Sequence, residues 1–286
     1  LFRYFPTIIR NRYSRSPGVS SLPSGGAQVI ISLTTFPARI DKVYITIESL
    51  LRQTSKPDKV ILWLSDLEFP HGERSLPATL LRLKNRGLEI RFVQGNVRSY
   101  KKLVYTLRAF PDAVIVTADD DIYYPRFWLG RMLEQHVLYP SCILFYRGAC
   151  ILRTADGTPR PYREWTIVSD DLPGRYILPT GVGGILYPPN VFHEDILRED
   201  LFMALCPSAD DVWFRAMSLL RNIDCKLVKI DGNFDRGGLF KSIRGTQRES
   251  LDKINNGMLK NDIQIKAVFK YYHLFYDSVS EGKDSL

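Results

Sequence analysis

Apolar residues recur along the first half of this chain in two alternating rhythms. Short runs rich in β-branched and aliphatic residues at 29–33, 59–64, 88–93 and 113–118 read as buried strands. Between them, 41–53 carries Val43, Ile47, Leu50 and Leu51 at helical spacing, and 77–86 and 100–110 follow the same rhythm. Asp41 is expected to cap the first helix and Gly87 to end the second. Strand and helix in alternation predict an α/β fold with a mainly parallel sheet and right-handed crossovers. Such sheets bind ligands at their carboxyl edge. Here the first strand leads into Thr34-Thr35-Phe36-Pro37, and the fourth into Asp119-Asp120-Asp121.

The second half is less regular. A helix is predicted over 127–138, strands near 142–146, 150–153 and 184–187, a helix over 209–220 and a strand over 225–230. Further helices are expected at 248–256 and 261–276, after a Gly-, Arg- and Lys-rich stretch at 232–246 expected to move until a ligand binds. Residues 1–27 read as a linker or arm, and 28–286 as one domain. The chain starts at Leu1 with no recognisable signal peptide, so it is expected to be part of a longer, multidomain protein.

Three adjacent carboxylates at a strand end repel one another unless a positive partner is present. A divalent cation, Mg²⁺ or Mn²⁺, is one such partner, and it implies a phosphate-bearing substrate. A solvated acidic turn is the alternative. Asp210-Asp211 opens a predicted helix, either as first-turn acids or with one carboxylate presented to a cleft as a general base. Thr180-Gly-Val-Gly-Gly184 is either a plain turn or a loop bringing backbone N–H groups to a substrate. It lacks the Walker Lys-Ser/Thr. Lys101, Lys102 and Arg39 are either surface cations or phosphate ligands at the sheet edge. His193 and His273 are isolated candidates for single metal ligands.

Composition narrows the classes. Hydrophobic residues make up 45% and charged residues 24%, as in an ordinary globular protein. No apolar run approaches the roughly 18 residues of a membrane span. The cysteines at 142, 150, 206 and 225 have no metal-site spacing and read as reduced core residues of a cytosolic protein. A net charge of +8 suits a phosphorylated substrate or an anionic membrane face. No RNA-binding signature accompanies it, so nucleic acid is not expected as a partner.

The ordered set resembles GT-A fold glycosyltransferases over about residues 28–230. Its pieces are Thr-Thr-Phe-Pro-Ala-Arg after the first strand, Glu48-Ser-Leu-Leu-Arg-Gln-Thr-Ser-Lys-Pro-Asp-Lys-Val60, Ser-Tyr-Lys-Lys, Thr-Ala-Asp-Asp-Asp-Ile-Tyr-Tyr-Pro, the glycine loop and Ala-Asp-Asp. The closest likeness is to bacterial enzymes that build lipopolysaccharide O-antigen or capsule. The resemblance implies a Rossmann-like three-layer sandwich with a nucleotide-sugar half, 28–125, and an acceptor half, 126–286. It implies Mn²⁺ or Mg²⁺ on Asp119, Asp120, Asp121 and His273, and Asp211 or Asp210 as the base. It implies nucleotide contacts from Thr35, Pro37, Arg39, Ser65, Tyr100, Lys101, Lys102, Asp119, Asp120, Gly183 and Gly184. The donor it implies is a UDP-hexose, with galactose in pyranose or furanose form as a candidate. The acceptor is then a glycan or lipid-linked oligosaccharide, and the place of work the cytoplasm or the cytoplasmic face of the inner membrane. A metal-dependent nucleotidyltransferase, a phosphohydrolase and a non-catalytic sugar- or nucleotide-binding domain remain alternatives.

Overall fold

The computed structural model describes residues 16–21, 25–229, 240–246 and 260–275. The first strand, β1 (Val29–Thr34), leads through a 3-10 turn at Pro37–Arg39 into helix α1 (Ile40–Leu50). Arg39, not Asp41, is the N-cap residue; Asp41 lies in the first turn, where the helix dipole favours its charge. Then follow β2 (Lys59–Ser65), the one-turn helix α2 (Ala78–Leu81) continued as a 3-10 turn, β3 (Leu88–Val93) and α3 (Lys101–Ala109). Gly87 ends that 3-10 turn with φ at 105°, the left-handed region in which glycine is unstrained. Next come β4 (Val114–Thr117), the short β5 (Ile122–Tyr123) and α4 (Trp128–Leu138).

The second half supplies β6 (Ile143–Phe145), β7 (Gly148–Cys150), β8 (Ile177–Pro179), β9 (Ile185–Tyr187), α5 (Glu199–Leu205), α6 (Asp210–Leu219), β10 (Cys225–Leu227), β11 (Lys241–Ser242) and α7 (Lys260–Tyr271). The sequence pattern does not foretell β5, β8, β11 or α5. The two or three residues of each short strand are too few to show a period. The helix expected at 248–256 lies outside the described residues, as does most of the stretch at 232–246.

The central sheet has seven strands in the order β10-β6-β9-β4-β1-β2-β3. β4, β1, β2 and β3 are mutually parallel, β9 runs antiparallel to both β4 and β6, and β10 is parallel to β6. From β1 the chain steps outward to β2 and β3, then returns to the other side of β1 as β4. The β1–β4 edge is therefore a topological switch point, where the two connections part and leave a crevice.

Alternating side chains of the strands face two separate cores, which makes three layers. Ile30, Ile61 and Ile115 pack with α3, α6 and α7 on one face. Ile31, Leu33, Val60, Leu62 and Val116 pack with α1, α2 and α4 on the other. The strand alternation of side chains produces this division directly. Part of the N-terminal arm docks on the body, with the Gly18 N–H donating to the Arg86 carbonyl and the Ser20 N–H to that of Pro57.

One buried ion pair ties α1 to the segment before β3. Glu48 is 2% exposed, and its two oxygens lie 2.7 Å from Arg82 and 2.6 Å from Arg86. Glu48→Ala strands the buried Arg86 guanidinium. It is expected to cost about 3–5 kcal/mol in urea unfolding. A loss of less than about 1 kcal/mol would place the pair with weak surface bridges.

Candidate functional site

A cleft of about 1070 Å³ opens at the carboxyl edge of β1 and β4. It is lined by Thr35 and Arg39 after β1, by Asp119, Asp120 and Asp121 after β4, and by Lys101 and Lys102 at the start of α3. Gly181 and the α6 pair Asp210 and Asp211 close it from the second half. Arg147, Tyr162, Arg163 and Trp165 form its outer wall.

The aspartate triplet is divided by direction. Asp120 turns inward: Thr35 Oγ1 donates to its Oδ2 at 2.5 Å, and Arg39 Nη1 to its Oδ1 at 2.6 Å. Thr46 on α1 donates to its carbonyl at 2.9 Å. Asp121 lies 3.3 Å from Arg39, and burial together with the charge of Asp119 raises its carboxyl pKa to about 6, against the pull of Arg39. The segment is also fixed from outside, since the Ile243 N–H donates to the Asp121 carbonyl and β11 pairs with β5.

Lys102 ties the triplet to the acidic pair of α6. Its buried Nζ lies 3.3 Å from Asp119 Oδ1 and 3.0 Å from Asp210 Oδ2. Burial opposes its charge, but Asp210, Asp119 and Asp211 outweigh that and hold it firmly protonated. Ser99 Oγ donates to Asp210 Oδ1 at 2.9 Å. Asp211 Oδ2 accepts the Gly181 N–H at 2.9 Å, while its Oδ1 is enclosed without a hydrogen-bond partner. Burial and the neighbouring Asp210 raise the Asp211 pKa to about 7. Neither acid caps α6, whose N-cap residue is Ala209 with no side-chain cap bond.

Several expected contacts lie elsewhere. Tyr100 is a core residue, stacked on Phe202 with its hydroxyl donating to the Cys206 carbonyl. Ser65 is buried and accepts the Leu67 N–H. Pro37 starts a 3-10 turn on the surface. Lys101 lines the cleft, but its ammonium is taken by Glu68 and Asn96, each at 2.8 Å. Gly183 gives its carbonyl to Trp128 Nε1, and Gly184 has φ at 86° with Trp128 against it. These two glycines let the loop fold over Trp128; Gly181, two residues earlier, is the one facing the acids. A Cβ on Gly181 would stand 3.0 Å from Asp119 Oδ1 and 3.2 Å from Lys102 Nζ. The sequence carries no local sign of this, because the cluster forms from segments far apart in the chain.

The expected metal set also changes. His273 follows the end of α7, whereas Asn261 at the start of that helix lines the cleft. A helix of this length separates them by about 18 Å. His193 caps a 3-10 turn at Glu194–Leu197, with its ring accepting the Asp195 N–H. Among the described residues no group of three or more His, Cys, Asp or Glu side chains is arranged to hold a metal. Asp120 is held by Arg39 and Thr35, while Asp119 and Asp121, each 3.3 Å from a cation, line the cleft as candidate donors. Two carboxylates suit Mg²⁺ or Mn²⁺, which keep waters and complete their shell with substrate phosphates, rather than an ion needing a full protein cage. Burial is the main cause of the raised Asp121 pKa, and the charges of Asp119 and Asp120 add to it.

No family model matches the sequence, and no curated protein matches it significantly. Among solved structures, a mannosyltransferase from Pyrobaculum calidifontis in complex with GDP-Man and Mn²⁺ is 13% identical, with a TM-score of 0.35. That match covers 54% of this chain and 43% of the mannosyltransferase, so this chain spans less than half of that protein's length. A CMP:2-keto-3-deoxy-manno-octonic acid synthetase complexed with CTP is 12% identical over 72% of this chain and 90% of its own, at a TM-score of 0.40. A 4-diphosphocytidyl-2C-methyl-D-erythritol synthase from Anaerococcus prevotii is 14% identical over 82% and 97%, at 0.41. Likenesses of this size carry no argument about activity, which rests on the geometry of the cleft.

The raised Asp211 pKa has a consequence for stability. The folded chain holds this proton up to about pH 7, the unfolded chain only to the ordinary range near 3.8. Stability from Asp211 is therefore fully present below about pH 4 and lost as pH rises through 7. Asp211→Asn, measured without metal, should gain in Tm over the wild type between pH 5 and pH 8. A Tm difference independent of pH contradicts the shift.

Proposed function

We propose that the protein is a glycosyltransferase that moves a sugar from a nucleoside-diphosphate donor to an acceptor hydroxyl, with inversion at the anomeric carbon. The observation that carries this reading is Asp211. Its carboxylate is aligned by Gly181, is poised near neutral pH, and borders the cleft that also holds the Asp119 and Asp121 carboxylates. A reaction whose nucleophile is a neutral hydroxyl needs such a base. Asp119 and Asp121 would hold a divalent ion, which supplies charge neutralisation for a departing diphosphate when bound.

The roles then follow from the contacts. Asp211 Oδ2 takes the proton of the acceptor hydroxyl as its oxygen bonds to the anomeric carbon. The bond from that carbon to the diphosphate oxygen breaks, and the nucleoside diphosphate leaves with the electron pair. Lys102 keeps Asp119 and Asp210 in place without neutralising Asp211 by direct contact. Arg39 holds Asp120 inward and also meets Asp121 at 3.3 Å, while Asp119 and Asp121 line the cleft. Residues up to about 125 supply the donor side and those beyond it the acceptor side. A UDP-hexose donor and a growing bacterial surface glycan are the substrates we assign on the sequence resemblance. The net charge of +8 supports work at an anionic membrane face; among the described residues no helix is long and apolar enough to cross one.

The test is a screen of nucleoside-diphosphate sugars with Mn²⁺ and glycan acceptors, reading released nucleoside diphosphate. Asp211→Asn should lower kcat by roughly 10²–10⁴-fold with little change in donor KM. Asp121→Ala should abolish turnover that Mn²⁺ supports in the wild type. Pyrophosphate released from a nucleoside triphosphate, with no nucleoside diphosphate from any sugar donor, would instead identify a nucleotidyltransferase.

A further inference from the structure

Asp211 borders two different spaces. It lines the cleft, and its Oδ2 accepts the Gly181 N–H. Oδ1 is buried and has no partner. Asp211 also borders a second, much smaller space with about 10 Å³ open to the centre of a water molecule. Arg215, Tyr187 and Ser218 share its wall with apolar Ile143 and Phe214.

Arg215 brings a matching orphan to that wall. The residue is 2% exposed. Its Nη1 donates to Ser218 Oγ at 2.8 Å and to the Ile223 carbonyl at 3.1 Å. Its Nη2 donates to the carbonyls of Ile223 and Arg175. All these acceptors are neutral oxygens, and Nε is left without a partner. Asp211 and Arg215 are four residues apart on α6, so their Cβ atoms stand about 5–6 Å apart on one face.

The two residues that carry these buried, unpartnered atoms thus line one space of about the smallest size that takes a water. A water there donates to Oδ1 and accepts from Nε–H, with the Tyr187 and Ser218 hydroxyls on the same wall. Leaving either atom unpaired costs the full desolvation penalty of a buried polar group, which is larger for a charged one. We propose that a single buried water joins Asp211 Oδ1 to Arg215 Nε, and that Arg215 is thereby a positioning residue for the Asp211 carboxylate. The Gly181 N–H alone leaves the carboxylate free to swing about its Cβ–Cγ bond. A second tether fixes its plane and aims the remaining lone pair of Oδ2 into the cleft. The water site stands on the geometry alone; its effect on turnover rests on the reading of Asp211 as base.

A crystal structure of the metal-free wild type, at a resolution that shows ordered waters, tests the site directly. It should show a density peak about 2.7–3.2 Å from both atoms. An empty space, or a direct bond between Asp211 and Arg215, overturns the proposal. A double-mutant cycle then tests the coupling. Arg215→Met should lower the urea midpoint less in the Asp211→Asn background than in the wild type. For turnover, Arg215→Lys should lower kcat about 10- to 100-fold while donor KM stays within about twofold. In the Asp211→Asn background it should lower residual turnover no further. Equal losses in both backgrounds show a merely structural arginine and overturn the positioning role. If the wild type transfers no sugar, the density and the urea cycle still decide this inference, while the functional reading above falls separately. If Arg215→Met does not fold, the wild-type density decides.

Discussion

Five aspartates, 119, 120, 121, 210 and 211, converge on one cleft, and Arg39 and Lys102 are the cations set directly against them. Carboxylates brought this close in a partly buried place cannot all ionise freely. Arg39 and Lys102 relieve some of that repulsion, and each bridges segments that are remote in the chain. Arg39 joins the β1 turn to the β4 turn. Lys102 joins the β4 turn to α6. Burial first, and then the neighbouring carboxylates that these two cations do not offset, raise the pKa values of Asp121 and Asp211. The surplus is oriented: both acids border the cleft, while Asp120 is spent inside.

The fold explains why the surplus collects there. The return of the chain from β3 to β4 across β1 opens a crevice between the two turns that carry Thr35, Arg39 and the aspartates. Helices on both faces keep water from the strands but leave their carboxyl ends open. The reversed strand β9 follows the glycine loop, so Gly181 reaches the cleft from the opposite side to β1 and hands its N–H to Asp211. The cluster is thus assembled by topology, and none of its elements would hold it alone.

Much of this is legible in the sequence. The β-branched runs mark the four parallel strands because burial on both faces demands continuous apolar character. Asp119–Asp121 directly after such a run locates the carboxyl edge, and Asp210–Asp211 at a helix start falls on the same cleft. Side-chain direction is less legible. Tyr100 and Lys102 are two residues apart, yet one points into the core and the other at the acids. Lys101 meets Glu68 and Asn96, partners that no local pattern announces. Gly183 and Gly184 look like substrate-facing glycines, but Gly183 gives its carbonyl to Trp128 with Phe240 and Tyr146 where a Cβ would stand, and the Trp128 ring leaves no room for a Cβ on Gly184. His273 is placed by the length of α7, a distance that spacing from the motif cannot supply.

In the proposed function Asp119 and Asp121 seat a divalent ion shared with a diphosphate. Isothermal calorimetry with a nucleoside diphosphate, run in Mn²⁺ and again in EDTA, addresses it without requiring turnover. Binding is expected in Mn²⁺, lost in EDTA and lost again in the Asp119→Ala, Asp121→Ala double variant. Equal affinity in EDTA, or undiminished Mn²⁺-dependent binding in the double variant, would contradict it.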